Sequence, residues 1–329
     1  MLLYHVVLLL LMSPLLLHAV QDPPEIEHCQ VTDLLSDEQI DSLFKNIFSG
    51  SKARHRLGLH DFVENGRIVG GVPAAMEDHP WTVSVRKVQL CNHFCGGSLI
   101  SPRWIVTAAH CMWKKLPWKI FVVAGGRSRE GRDKGDQAIM VQEVINHKEF
   151  NACKRNWWND IALLRLKEDV SVVSEFVKLP GPHALSHPLT GVVELVGFGT
   201  TSYRGPSAIK LHKIYLKVLP NENCTEIFKK EKPLMFCAGE EGKDSCQGDS
   251  GSGTVQDGLL VGLVSHGLGC GTQPGVYTDV RHHLPWIHDS MADSEDKALE
   301  QDIGKWKKIE FKKLILRLFE CHSISPSID

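Results

Sequence analysis

Acyl-transfer chemistry is offered most plainly by residues 242–253, Gly-Lys-Asp-Ser-Cys-Gln-Gly-Asp-Ser-Gly-Ser-Gly. Ser250 sits among glycines, with Asp249 beside it and Asp244 six positions earlier. Small neighbours let a substrate carbonyl approach the backbone, and the N–H groups of Gly248 and Ser250 can face an oxygen that becomes negative. A serine hydroxyl is a weak nucleophile until a base takes its proton, so the chain must supply that base elsewhere. His110 is the candidate: Thr107-Ala108-Ala109-His110-Cys111 holds a histidine at the end of an apolar strand and beside a cysteine. Imidazole is the side chain whose ordinary pKa suits proton transfer near neutral pH. A carboxylate to orient the ring is available at Asp160, at the mouth of the apolar run Ile161-Ala162-Leu163-Leu164. Alone, Asp160 reads as a residue that starts a strand, and any one of the 17 histidines as a surface or packed residue. The chemistry lies in the combination.

The elements that must position these groups read as short strands. Runs rich in Val, Ile, Leu and Trp at 81–85, 98–108, 120–124, 161–166, 192–196, 253–265 and 275–280 are separated by Gly, Pro, Asn and charged turns. Many short strands without alternating long helices predict an all-β barrel or sandwich architecture. At 329 residues the chain can hold two compact units with appendages. Its 37 basic and 39 acidic residues leave a net charge of -2, which does not mark a nucleic-acid binder.

The ends differ in character from this middle. Residues 2–17 are dominated by Leu and Val and run into Leu17-His18-Ala19, so residues 1–19 are expected to be a signal peptide. A signal anchor is the rival, disfavoured because the run is shorter than the roughly 20 apolar residues of a spanning helix. Secretion makes the ten cysteines disulfide formers rather than metal ligands or redox thiols. Ser36-Asp37-Glu38-Gln39 opens a capping-box helix with Ile40, Leu43, Phe44, Ile47 and Phe48 on one face, and a basic, Gly-containing linker follows to Arg67. Residues 20–67 thus read as a propeptide whose linker invites proteolysis. A short helix is expected around Trp286-Ile287, then an acidic stretch from Asp289 to Asp302. In the extension 291–329, residues 304–320 form a basic amphipathic helix with Phe311, Leu314, Ile315, Leu318 and Phe319 on one face. Packing on its own protein is favoured over contact with a membrane surface or a partner.

His110, Asp160 and Ser250 in that chain order, Arg67-Ile68-Val69-Gly70-Gly71 in front of them and Asp244 before the serine resemble the trypsin-like serine endopeptidases of the chymotrypsin fold. The resemblance covers residues 68–290. It implies two antiparallel six-stranded β-barrels, about 68–180 and 181–285, with the active site between them and a C-terminal helix. It implies that Ser250 is the nucleophile, His110 the base, Asp160 its orienting carboxylate, and the N–H groups of Gly248 and Ser250 the oxyanion hole; these roles follow the general description of that triad. Asp244 is expected at the bottom of the specificity pocket, selecting Arg or Lys before the scissile bond. Gly267 and Gly275 are expected to keep that pocket open, and Ser265-His266-Gly267 to pair with substrate backbone. Arg67-Ile68 matches the activation bond, whose cleavage frees an ammonium at Ile68 for Asp249. The disulfides implied are Cys95–Cys111, Cys224–Cys237 and Cys246–Cys270, which leaves Cys29, Cys91, Cys153 and Cys321 with three pairings open.

The implied protein is a secreted zymogen acting on proteins or peptides, with an activating protease and a serine protease inhibitor as partners, and no cofactor or nucleic acid. Gly126 stands where calcium-binding relatives place their first carboxylate, so no metal is expected. Asn223-Cys224-Thr225 is a glycosylation sequon with a cysteine in its middle. Ser252-Gly253 replaces the usual Gly-Pro, and His266 replaces a tryptophan. The altered substrate-binding segment around His266 sustains an alternative, a non-catalytic homologue serving as a binding protein or ligand.

Overall fold

A computed structural model describes residues 70–88, 91–129, 133–152, 157–200, 208–228, 234–267 and 270–298. The leader, the capping-box helix, the linker with Arg67 and Ile68, Cys29, Cys153, Cys321 and the amphipathic helix at 304–320 lie outside the described residues.

Among the described residues thirteen strands carry the fold. Six of them, β2 (Thr82–Lys87), β3 (His93–Ser101), β4 (Trp104–Thr107), β5 (Ile120–Ala124), β6 (Gln137–Asn146) and β7 (Ala162–Leu166), form a closed antiparallel barrel in the order β2-β3-β4-β7-β6-β5. The others, β1 (Val72–Pro73), β8 (Val192–Gly197), β9 (His212–Lys217), β10 (Met235–Ala238), β11 (Gly253–Gln256), β12 (Leu259–His266) and β13 (Gly275–Asp279), form a sheet in the order β1-β9-β8-β11-β12-β13-β10. Its two ends are drawn together beyond β9, where Val218 bridges Ala238, Leu219 N donates to Cys237 O at 2.9 Å and Gly239 N donates to Lys217 O at 3.0 Å. The second sheet is therefore also rolled, with β1 as an added strand that leaves the start of the segment and pairs with β9. Rolling removes the open edges that a flat sheet would expose.

Side chains explain the rolling. The first barrel closes on Val83, Val85, Leu99, Ile105, Val122, Ile139, Leu164 and Leu166, all essentially without solvent. The second closes on Val193, Leu195, Ile214, Leu216, Phe236 and Tyr277, with the rings of Phe236 and Tyr277 stacked at 5.3 Å across the β10–β13 register. In β9, His-Lys-Ile-Tyr-Leu-Lys alternates inward His212, Ile214 and Leu216 with the exposed Tyr215 and Lys217, as a half-buried strand requires.

Two of the runs expected as single strands are hairpins. Residues 98–108 turn at Pro102-Arg103, with Ser101 opposite Trp104. Residues 253–265 turn at Asp257-Gly258, both with positive φ (51° and 76°), between the paired Gln256 and Leu259. Asp-Gly is the two-residue loop whose twist suits a hairpin. Strands β1, β6, β9 and β10 lie outside the expected runs, and so does the single helical turn α1 (Ala109–Met112).

Helix α2 spans Asn221–Phe228 and holds Cys224, which is bonded to Cys237. The expected pairs Cys95–Cys111 and Cys246–Cys270 are also present, and Cys91 is disulfide-bonded as well. A second compact unit begins at His283 and contains helix α3, residues 284–298, which takes in Asp289, Asp293, Glu295 and Asp296 of the acidic stretch. Among the described residues no helix is long and apolar enough to cross a membrane. Leu164→Ala should cost about 2–5 kcal/mol through lost burial and a residual cavity, read as a lowered denaturation midpoint.

Candidate active site

His110 lies in α1, directly after β4, and is fixed to Asp160 twice. Its backbone N donates to Asp160 Oδ1 and its ring Nδ1 to Oδ2, each at 2.7 Å. A carboxylate only accepts here, so Nδ1 carries the proton and Nε2 keeps a lone pair that can take one. Asp160 has no solvent exposure, and burial of its charge is tolerable only with such donors. Two more arrive from the other barrel: Ser265 Oγ donates to Oδ2 at 2.6 Å, and Thr278 Oγ1 to the Asp160 carbonyl at 2.9 Å. The β12–β13 register slips between Val264 and His266, and this irregularity turns Ser265 towards the carboxylate, a common use of a bulge.

Ser250 follows a loop whose carbonyls are pinned in succession. Gln247 O accepts from Thr200 N at 2.8 Å, Gly248 O from His93 Nε2 at 2.9 Å, Asp249 O from Ser252 N at 2.8 Å and Ser250 O from Gly96 N at 2.9 Å. In a planar trans peptide the N–H points opposite to the C=O. The Gly248 N–H is thus turned away from Thr200 and the Ser250 N–H away from the Ser252 amide. Gly248 has φ 98°, a conformation open to glycine. At Gly251 a Cβ would come within 3.0 Å of Ala108 N, so the serine loop lies against the segment that leads into His110. The Cys95–Cys111 disulfide ties β3 to α1 beside it. Cys95, His110 and Cys111 also lie close enough to suggest a metal site, but disulfide sulfurs are not thiolate ligands.

Asp249 is fully buried and accepts from Gly199 N at 2.8 Å and Cys246 N at 3.0 Å. Burial pushes its carboxyl up to about 6, against these bonds and the nearby Arg129 charge, which favour ionisation. Arg129 Nη1 donates to Phe198 O at 2.9 Å. Next to it, His93 is pushed down to about 3, chiefly by burial, with the bond to Gly248 opposing and the Arg129 and Arg86 charges adding to the effect. Neutral His93 therefore donates from Nε2 and accepts at Nδ1 from Ser84 Oγ at 2.9 Å, while Arg86 Nε donates to that hydroxyl at 3.0 Å.

Asp244 is 1% exposed, and the hydrogen bonds it accepts from Gly271 N and Ser245 Oγ are long, at 3.3 and 3.4 Å, beside one from the Ser245 backbone. Burial pushes its carboxyl up to about 7. Gly275 leaves room for it, since a Cβ there would sit 2.9 Å from Asp244 Oδ1. Gly267 is exposed. His266 donates from Nδ1 to Ser265 Oγ at 3.0 Å and lies between Trp157, 5.6 Å away, and Phe228, 6.5 Å away. Trp157 also packs on His110 at 5.1 Å. At the other departure, the Ser252 hydroxyl is buried against Gly96 with no hydrogen-bond partner among the described residues, which costs about 1–3 kcal/mol. Near Gly126, Asp133 Oδ2 takes up Arg127 N at 2.5 Å and Ser128 N at 2.8 Å, so a carboxylate already staples that loop.

Sequence reasoning missed His93, Arg129, Trp157, Phe228 and Thr278. His93-Phe94-Cys95-Gly96-Gly97 carried a usable signal, because paired glycines after a histidine and a cysteine mark close backbone approach. A methyl group at Gly199 would overlap the Asp249 carboxylate. Gly199→Ala should therefore lower stability by about 1–3 kcal/mol and kcat/KM by more than about tenfold, measured by thermal melting and amide hydrolysis.

The family model described as Trypsin matches residues 68–287. Trypsin alpha-4 of Lucilia cuprina is 36% identical over 230 residues, covering 68% of this chain and 87% of that protein. Trypsin of Squalus acanthias is 34% identical over 237 residues, covering 70% and 98%. The human tissue-type plasminogen activator is 36% identical over 254 residues, covering 68% of this chain but 45% of its own length. The double-barrelled fold, the paired His110 and Asp160, and these matches place the chain in the trypsin family of serine endopeptidases, hydrolases of peptide bonds.

Proposed function

We propose that the chain is a secreted endopeptidase, made as a zymogen, that hydrolyses peptide bonds after Arg or Lys through an acyl-enzyme. In this reading Ser250 Oγ attacks the scissile carbonyl carbon while its proton passes to His110 Nε2, and the oxygen that becomes negative is held by the N–H groups of Gly248 and Ser250. Collapse of the adduct breaks the C–N bond, and the leaving amine takes the proton from His110. Water then adds to the acyl-enzyme by the same route and frees the acid. Asp160, bound at both oxygens, holds the ring tautomer and stabilises the imidazolium. One oxyanion donor of this kind contributes about 3 kcal/mol to the transition state.

The preference for Arg or Lys is carried by one observation, a buried Asp244 carboxylate with no cationic partner among the described residues. A substrate guanidinium or ammonium would supply the counter-charge the site lacks, and an uncharged side chain would leave the cost in place. Buried Asp249 supports activation after Arg67 by similar logic, since the new ammonium at Ile68 would stabilise its charge and order the loop around Ser250. An apolar leader and disulfide-bonded cysteines support secretion. Asn223 is exposed on α2 and available to a glycan. An activating protease and a serine protease inhibitor are the partners this reading requires.

A peptide-library cleavage profile of the activated protein tests the proposal. It should show Arg or Lys before nearly every cut, and Asp244→Asn should abolish that preference; a variant that still selects Arg would overturn it. The same substitution has a pH signature. Asp244 is raised in the folded state from 3.8 to about 7, so the cost of its charge is fully present above pH 7, shrinks as pH falls and is gone below the unfolded pKa. Asp244→Asn should thus stabilise the free enzyme by on the order of 2–4 kcal/mol at pH 8 and by little at pH 4. For activation, a phosphonylating serine probe should label Ser250 in protein cleaved after Arg67 and fail to label Arg67→Gln, whose full activity would refute the zymogen.

A further inference from the structure

Residues 79–129 contain no aspartate or glutamate, and the loop after α1 gathers cations of this stretch at the surface. Trp113 anchors the loop inward, edge-on to Phe150 at 5.6 Å. Lys115 N donates to Met112 O at 2.9 Å and Lys119 N to Leu116 O at 3.0 Å, so two tight turns shape it. Beyond the anchor Lys114, Lys115, Leu116, Trp118 and Lys119 are exposed, Trp118 by 51% and Leu116 by 41%. Strand β2 brings a fourth lysine to the same place: Lys87 pairs with Ile120 across β5, and Val88 N donates to Lys119 O at 3.1 Å. The ammonium groups of Lys87 and Lys115 stand 5.5 and 5.9 Å from the centroid of one ring, Phe94. None of these four lysines has an acidic partner among the described residues.

The place of this surface gives it a use. Phe94 adjoins Cys95, which is bonded to Cys111, and Cys111 Sγ lies 3.6 Å from His110 Nε2. That nitrogen hands its proton to the departing amine, so the disulfide and the lysine surface beyond it border the stretch of substrate on the amine side of the cut. We propose that this surface binds an acidic polypeptide segment on the leaving-group side of the scissile bond, and that the enzyme favours protein substrates with Asp or Glu a few residues beyond the cleaved Arg or Lys. The inference rests on the hydrolysis proposed above. Four ammonium groups supply the charge complement. Trp118 and Leu116 favour a polypeptide, because a sulfated glycan offers anions but no apolar side chains to cover them.

The test uses the activated full chain and quenched-fluorescent peptides that are identical up to the cleaved Arg and acidic, neutral or lysine-rich after it, beside an Arg amide that has no residues beyond the cut. The acidic peptide should exceed the lysine-rich one by about tenfold or more in kcat/KM at low salt and by no more than about twofold near 1 M salt, where exposed charges are screened. The combined Lys87→Glu, Lys114→Glu, Lys115→Glu and Lys119→Glu protein should reverse that order while leaving amide hydrolysis unchanged. Trp118→Ala should weaken cleavage of the acidic peptide and keep its salt dependence. Equal cleavage of the three peptides by enzyme that turns over the amide would overturn the inference, as would an acidic preference that survives the lysine reversals. Lysine-dependent retention on heparin with a flat peptide order would assign the surface to a sulfated glycan and overturn it too. A wild-type protein inert towards the amide and every peptide would instead refute the underlying hydrolytic reading.

Discussion

Asp160 draws its hydrogen bonds from both barrels. It stands at the mouth of β7, takes two bonds from His110 after β4, and receives Ser265 of β12 and Thr278 of β13 from the second sheet. Because the carboxylate is wholly buried, losing a donor from His110 or Ser265 would remove a hydrogen bond that solvent cannot replace, and losing Thr278 would do the same at the Asp160 carbonyl. The carboxylate therefore fixes the relation of the barrels as firmly as it fixes the imidazole. A change that loosens the seam between the sheets must also disturb the His110 ring.

Around that seam the fold spends stability on charge. Asp244 and Asp249 are held above their ordinary pKa and His93 below its own, each mainly through burial. Their linkages have opposite signs. The two carboxyls relieve the folded state as pH falls, whereas His93, which resists protonation when folded, penalises it as pH drops below 6.5. Arg86, a cation without solvent, and Arg129 complete the cluster. Such groups are rare in a core selected for stability alone and frequent where a site must bind or release charge.

How much of this was legible depended on whether the signal was local. Ser250, His110 and Asp160 announce themselves through neighbours in sequence, β5 through an unbroken apolar run and β7 through one broken by Arg165 alone. Strand β6 was hidden because Gln137, Gln142 and Asn146 dilute its apolar residues, and β10 because four residues make no pattern. The two hairpins resemble single strands in sequence because both arms are apolar, although Asp257-Gly258 and Pro102 mark their turns. Trp157, Phe228 and His266 are separated in sequence and converge only through the roll of the second sheet and the loop before Asp160, so no spacing rule joins them. His93 and Arg129 belong to the same class. Their meaning comes from Gly248, Phe198 and Asp249, which reach them from the other barrel.

The two-residue strand β1 bears on the activation proposed at Arg67. Val72 and Pro73 pair with Lys213 and His212, and Ala74 N is bonded to Leu211 O at 3.0 Å, so the chain is moored to the second sheet just after Gly71. A terminus created at Ile68 would hang on a tether of residues 68–71, with a reach of roughly 14 Å at full extension. Gly70, with φ 73°, has room for no side chain against Gly242 and Lys243, which narrows the arc further. On the proposed cleavage, the mooring would turn a search through solvent into a short swing about a fixed post, with an entropic cost limited to a few residues.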